Sequence, residues 1–387
     1  MDEWQEKTLA DVAAINPTES LPKGVMAKKV AMTDIQSFTK KVATYAVEPY
    51  NGGMKFRNGD TLVARITPCL ENGKTAYVDI LDEEEVGFGS TEYIVLREKP
   101  GVSDKQFLYY FSISSEFRDV AILSMTGSSG RQRVQNEVVT NHTFFLPSLP
   151  EQKAIASVLS SLDDKIDLFH RQNKTLEAMA ETLFRQWFVE EAQENWETVR
   201  VGDFVKTNAL SITKETKLKT IRYLDTGSLN EGRIEGFQLL DMHDAPSRAR
   251  RIVKHNDILI STVRPDQKHY GIIKNPEADI IVSTGFCVIS CKNINPHFIY
   301  ILLTTKDMTE YLHSIAEAST STYPSLKPSD IEALEFKRPP DDRLNEFSTY
   351  ADNAWDKIEC NYIQIRTLEK LRDTLLPKLI SGDIRVN

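Results

Sequence analysis

The sequence predicts a mixed α/β protein built twice over. Two α+β modules, related by a pseudo-twofold axis, are expected to be separated by two long helices that pair as an antiparallel coiled coil. Three observations predict it. The chain of 387 residues falls onto itself when slid by 192 positions. Most of each repeat consists of short β-branched runs bounded by Gly, Asn and Pro, the pattern of strands. Each repeat then ends in a stretch of helix formers with apolar positions every seven residues.

The repeat is clearest in the terminal stretches. The run from Asp163 lands on the run from Trp355, and between 164 and 187 nine of 24 columns are identical, from Asp164/Asp356 to Leu183/Leu375. Ordinary composition gives about one or two. Further upstream Trp4 and Asp11 match Trp196 and Asp203, Ser90-Thr91 matches Ser283-Thr284, and Phe107-Leu-Tyr matches Phe298-Ile-Tyr. A period this long is a duplicated domain, because solenoid units run about 20–50 residues. The expected boundaries are 1–150 for the first module, 151–192 for its helix, 193–341 for the second module and 342–387 for the last helix.

Within the first module, residues 60–66 and 93–96 read as strands, and Phe107 to Leu123 carries helical apolar spacing. Thr126-Gly-Ser-Ser-Gly-Arg-Gln-Arg-Val reads as a flexible polar loop. Residues 196–341 repeat this order. After Leu146-Pro-Ser-Leu-Pro150, helix formers run from Glu151 to about Ala192 without Pro or Gly. Ile155, Leu162, Phe169, Leu176 and Leu183 form one row of a 3-4 seam, and Leu159, Ile166, Asn173, Ala180 and Trp187 form the other. In the second copy the rows are Phe347, Ala354, Asn361, Leu368, Leu375 and Ala351, Ile358, Ile365, Arg372, Leu379. Asn173, Asn361 and Arg372 interrupt the seams, and polar core residues of this sort fix register at some cost in stability. Two unrelated surface helices are the plainer alternative, but globular helices seldom exceed about 20 residues.

Composition narrows the function. The chain is 41% hydrophobic and 27% charged, near globular averages. No apolar run reaches the roughly 18 residues of a membrane span, and the N-terminal stretch lacks a signal-peptide pattern, so the expected compartment is the cytoplasm. Cys69, Cys287, Cys291 and Cys360 lack the spacing of a zinc site and read as buried free thiols. Gly73-Lys-Thr lacks the earlier glycine of a phosphate loop, where Pro68 stands. Neither Gly-x-Ser-x-Gly nor a histidine ligand cluster is present, and no catalytic candidate recurs in both copies. The residues describe a binding protein.

The run Leu146-Pro-Ser-Leu-Pro-Glu-Gln-Lys-Ala-Ile-Ala, with Leu162-Asp-Asp-Lys-Ile-Asp and Leu176-Glu…Leu183-Phe…Trp187-Phe, resembles the central conserved region of type I restriction–modification specificity subunits. Leu368-Glu-Lys-Leu-Arg…Leu375-Leu-Pro-Lys-Leu-Ile-Ser-Gly-Asp-Ile resembles their distal conserved region. The resemblance implies that 1–150 and 193–341 are target-recognition domains, each reading half of a split sequence in double-stranded DNA. It implies that the paired helices set the unread gap. Two methyltransferase subunits and a restriction/translocase subunit would be partners. The chain itself would bind no cofactor and catalyse nothing, with S-adenosylmethionine, ATP and Mg on the partners. Pro339-Pro-Asp-Asp-Arg departs from the pattern of Pro150-Glu-Gln in the first copy, so docking there is expected to be asymmetric.

Net charge −9 opposes a DNA role, since a basic footprint is its usual signature. That balance favours the alternative, a protein–protein scaffold of two adaptor domains on a coiled coil. The acidic excess, however, is local: residues 1–150 carry 16 basic and 20 acidic side chains, residues 198–341 carry 19 and 18. Arg and Gln can make bidentate contacts to guanine and adenine edges. The candidate DNA contacts are therefore Ser128, Ser129, Arg131, Gln132 and Arg133 in the first module. In the second they are Arg248, Arg250, Arg251, Lys254, Arg264, Gln267 and Lys268.

Overall fold

The computed structural model describes residues 4–213, 215–318 and 324–386, which divide into two units: Met1–Phe169 with Ile363–Asn387, and His170–Tyr362. In the first unit one four-stranded sheet has the order Ala13–Ile15, Tyr93–Glu98, Thr61–Ala64, Thr75–Tyr77, with every pair antiparallel. A second sheet has the order Ala46–Pro49, Met26–Val30, Gly87–Gly89, Met54–Phe56, and its central pair is parallel. The second unit repeats both. Val205–Thr207, Phe286–Cys291, Ile258–Ser261 and Tyr270–Ile272 form the antiparallel sheet. Gln238–Asp241, Thr220–Leu224, Ile280–Ser283 and Ala249–Ile252 form the other, again with one parallel pair at its centre.

The duplication extends to single hydrogen bonds. Asn16 sits at φ 51° and Asn208 at φ 48°, in the left-handed region that Asn tolerates. Each closes a pair of bonds with the neighbouring strand: Asn16 N–H donates to Val95 O at 2.7 Å while its Oδ1 accepts from Val95 N–H at 2.9 Å. Asn208 makes the same two bonds to Val288, at 2.7 and 3.1 Å.

The helix expected over 107–123 is two helices, Lys105–Ile113 and Ser115–Leu123. Ser114 lies between them with extended backbone, and its hydroxyl donates back to Phe111 O at 2.7 Å. That side-chain bond competes with the helical ladder. Asp104 caps the first helix by accepting from Gln106 and Phe107 N–H. The second unit breaks at Thr305, between Pro296–Thr304 and Lys306–Glu317, and Asn295 provides the cap.

Leu149–Arg185 is one helix, closed by a π-helical turn over Gln186–Glu190, and Asp341–Ile380 is the other. Both therefore stop short of the expected ends at 192 and 387. Inside the first unit their segments run antiparallel, with Asp163 bonded to Arg372 and, just past the end of the second helix, Arg385 bonded to Glu151. Inside the second they do so again, with Asn173 against Asn361 and Phe184 against Phe347. Ile155, Leu159, Ile166, Phe169, Phe347, Ile358 and Ile365 are buried as the seam requires.

Leu162, Leu176, Leu183, Leu368 and Leu375 are only half-buried, which corrects the strict heptad. Near the end of the first helix Phe184 and Phe188 take the inner places expected of Leu183 and Trp187. They join Phe298 and Phe347, with ring centroids 5.1–6.0 Å apart. A straight helix drifts about 20° per heptad from a 3.5 repeat, and the π turn adds to it.

Candidate nucleic-acid interface

In the first unit the polar loop is a closed hairpin, not the flexible segment its composition predicts. Thr126 and Arg133 exchange N–H···O bonds at 3.0 and 2.9 Å. At the tip Arg131 N–H donates to Ser128 O at 3.0 Å, with Gly130 at φ 75° in the third position of the turn. The base is stitched to the end of strand Thr61–Ala64. Thr67 N–H donates to Gln132 O at 3.0 Å, and Val134 N–H donates to Arg65 O at 2.9 Å. Ser128, Ser129 and Arg131 are exposed and Gln132 is half-buried. Arg131 has no side-chain partner among the described residues. Arg133 differs: its guanidinium lies fork-on-fork with Glu92, Nη2 to Oε1 at 2.6 Å and Nε to Oε2 at 2.9 Å. The Arg133 hydrogen bond holds the Glu92 carboxyl below its usual range.

The second unit builds the same joint. Arg264 N–H donates to Pro324 O at 3.1 Å and Leu326 N–H to Thr262 O at 2.8 Å. These bonds match those of Thr67 and Val134, so residues 262–268 take the place of 65–71. The candidates of the two units therefore belong to one joint but to opposite sides of it: the hairpin in the first, the strand-end turn in the second. By the offset of 192, the counterpart of the Ser128–Arg133 hairpin is 320–325, of which 320–323 lie outside the described residues. Arg264 and Lys268 flank the 3-10 turn Pro265–Gln267 with φ 48° and 55°. Neither is Gly or Asn, and such backbone is held only where the surroundings over-determine it. Gln267 is exposed with no side-chain partner among the described residues, whereas Lys268 pairs with Glu231 at 2.7 Å.

The remaining four candidates lie together at another sheet edge. Arg250 and Arg251 belong to strand Ala249–Ile252, which bulges between Ala249 and Arg251. Arg248, Arg250 and Lys254 are exposed. Arg251 is half-buried and donates to Ser211 Oγ at 3.0 Å, so it ties the edge down.

Burial pushes the thiols of Cys287 and Cys291 up to about 12, which leaves them unreactive at neutral pH. Only Cys287 is fully buried: Cys69 and Cys291 are half-buried and Cys360 is exposed, against the expectation that all four are buried. No helix among the described residues is long and apolar enough to cross a membrane.

The chain thus carries a duplicated α/β unit, a matched surface joint in each copy and two long helices. The family model for the type I restriction modification DNA specificity domain matches residues 1–178 and 193–346. The chain belongs to that family. It is similar to the type I restriction enzyme MjaIX specificity subunit of Methanocaldococcus jannaschii, 27% identical over 320 residues, which are 74% of this chain and 71% of that protein. The HindI specificity subunit of Haemophilus influenzae is 26% identical over 183 residues, 47% of this chain and 40% of that one. In fold it is similar to the S subunit of a type I system from M. genitalium, with TM-score 0.54 and 17% identity over 97% of this chain and 96% of that one.

Sequence reasoning missed the groups that hold each specificity module on its long helix. In the first unit Lys40 is buried and donates to Gln106 Oε1 at 2.9 Å and Ser160 Oγ at 3.0 Å, with the Tyr110 ring centroid 5.1 Å away. Burial lowers its pKa. In the second unit Lys274 Nζ lies 2.8 Å from His297 Nε2, and His297 Nδ1 lies 2.8 Å from Asp352 Oδ1. Gln106 and His297 are equivalent positions, as are Ser160 and Asp352. The lysines come from unrelated points in the chain, so no offset could have found them.

Proposed function

We propose that each unit reads one half of a bipartite DNA target through the stitched joint described above, as part of a type I restriction–modification complex. One observation carries this reading. The same two backbone bonds present an exposed Arg131 and a half-buried Gln132 in one unit, and Arg264 with an exposed Gln267 in the other. Two supports converge there, since Arg and Gln are the side chains that read guanine and adenine edges bidentately. Ser128 and Ser129 would contact phosphate, which positions without specifying. Arg133 and Lys268, each held by a carboxylate, would orient their segments. Arg248, Arg250 and Lys254 would add phosphate contacts at a second edge.

The remaining roles follow the family. Two methyltransferase subunits and one restriction/translocase subunit would dock on this chain in the cytoplasm, bringing S-adenosylmethionine, ATP and Mg. Specificity subunits direct that chemistry and do not perform it, so the purified chain should turn over neither S-adenosylmethionine nor ATP.

Net charge −9 favours the scaffold reading, and a gel shift with the methyltransferase subunit present separates the two. A shift whose midpoint weakens steeply with salt supports DNA reading, because neutralised phosphates release counterions. No shift at any salt would leave the scaffold.

A further inference from the structure

Each unit holds the strand-end turn of its joint with one basic side chain from the second of its two short helices, and the two side chains differ in kind. In the first unit the holder is Arg118, on the helix Ser115–Leu123. Its Nη2 donates to Leu70 O at 3.2 Å and to Glu71 O at 3.1 Å, in the segment that Thr67 stitches to the hairpin. The guanidinium also lies 5.1 Å from the centre of the Phe38 ring, and Phe38 N–H donates to Gly73 O at 3.0 Å on the same turn. Arginine keeps its charge at every pH a protein meets.

In the second unit the holder is His313, on the matching helix Lys306–Glu317, which packs against the turn Pro265–Gln267. Its Nδ1 lies 3.2 Å from Asp266 Oδ1, and its Nε2 lies 3.4 Å from Glu317 Oε1, one helical turn further on. Nδ1 is shut off from water and makes no directed hydrogen bond to Asp266, so charge is what draws the two together. The other charged residues flanking the turn are Arg264 and Lys268, and Lys268 is engaged at 2.7 Å by Glu231. Glu310, on the helix of His313, lies 3.8 Å from Lys306.

An imidazole between two carboxylates holds them only while it carries a proton, and histidine is the side chain whose charge ordinarily changes between about pH 5 and 8. Arg264 and Lys268 both sit at positive φ, a backbone kept only where its surroundings over-determine it. Loss of one hold therefore loosens the frame on which Arg264 and Gln267 are presented. Arg118 gives the first unit no such release.

We infer that His313 is a positioning residue for the reading turn of the second unit and makes that unit's half of the target pH-dependent, while Arg118 keeps the first unit's half independent of pH. The inference rests on the proposed reading of DNA by the two joints. Protonated, His313 pairs with Asp266 and the turn is firm. As pH rises the proton leaves to solvent, the pairing ends and discrimination by the second unit falls.

The test selects DNA from a random-sequence pool with the full chain assembled with the methyltransferase subunit encoded beside it, at about pH 6 and about pH 8. The half-site of the second unit is the one relaxed by Arg264→Ala with Gln267→Ala, and the other half-site is the control within each pool. In the wild type the second unit's half-site should lose about threefold in discrimination from the lower pH to the higher, the scale of a half-exposed ion pair, with the other half unchanged. His313→Gln should give the weaker discrimination at both pH values. His313→Lys, which keeps its charge across the range, should give the sharper one at both, a rescue not expected of a residue that only fills space. An equal pH response at both half-sites, no response at either, or a response that survives His313→Gln would overturn this inference alone. An unaltered target in the Arg264→Ala/Gln267→Ala chain would overturn the reading beneath it.

Discussion

In the first unit the helix pair encloses a buried ion pair. Arg372 Nη1 donates to Asp163 Oδ1 at 2.8 Å, and Tyr110 Oη donates to the other carboxylate oxygen at 2.6 Å. The second unit places Ala180, Trp355 and Ile301 at the equivalent positions, all buried in one core with no charge among them. Three polar groups in one copy stand where three apolar groups stand in the other, on the same backbone. Duplication has preserved the volume and topology of the joint and not its polarity. Interior ion pairs bring a desolvation cost that their attraction only partly offsets, so an apolar set of similar volume is an equivalent solution. The strands show the opposite behaviour. There the order of both sheets and the bonds of Asn16 and Asn208 are repeated in detail.

That contrast can be broken most severely at Arg372. Arg372→Ala leaves Asp163 buried beside Tyr110 without its cation and should destabilise the chain by about 3–5 kcal/mol in denaturant unfolding. Importing the second unit's set, Tyr110→Ile with Asp163→Trp and Arg372→Ala, should recover most of that loss. A transplant as unstable as the single variant would show that the two joints are not equivalent.

The proposed readers come next in size. Removing the Arg131 and Gln132 side chains should cost roughly 1–3 kcal/mol of discrimination each. The loss should appear as relaxed methylation at one half-site with the other unchanged.

A third comparison concerns pH. Burial and the Lys274 ammonium push the His297 imidazole down to about 4, past the opposing pull of Asp352. Its folded value lies below its unfolded one, so the stability it contributes is present above about 6.5 and is lost as pH falls toward 4. The first unit has Gln106 at that position, a side chain that does not titrate. His297→Gln should therefore flatten the acid limb of the melting temperature between pH 6.5 and 4, while Gln106→Ala should leave its pH dependence unaltered.

The smallest effect is expected at Arg133. Its ion pair with Glu92 is solvent-screened, and Arg133→Ala should leave the unfolding midpoint nearly unchanged in the same experiment.

The repeat and the two long helices were legible because they depend on composition and spacing along the chain. A run of nine identities in 24 columns needs no knowledge of contacts. The drift from Leu183 to Phe184 was hidden, since a heptad count assumes 3.5 residues per turn and the helix keeps about 3.6. What pairs with what was also hidden. Glu92 is 41 residues from Arg133, Glu231 is 37 from Lys268, and nothing local to either partner marks the pair. The same holds for the stitching of Thr67 to Gln132, which turns a glycine-rich loop into a hairpin. Sheet order escaped for a related reason: the parallel pairing of Met26–Val30 with Gly87–Gly89 is set by tertiary packing.

The claim that each unit reads one half of a split target is tested most directly by sequencing the DNA methylated by the assembled complex. The Arg131→Ala/Gln132→Ala chain is compared there with the Arg264→Ala/Gln267→Ala chain. Each variant should relax or alter a different half-site and leave the other half intact. Both variants altering the same half, or neither altering the methylated sequence at all, would contradict it.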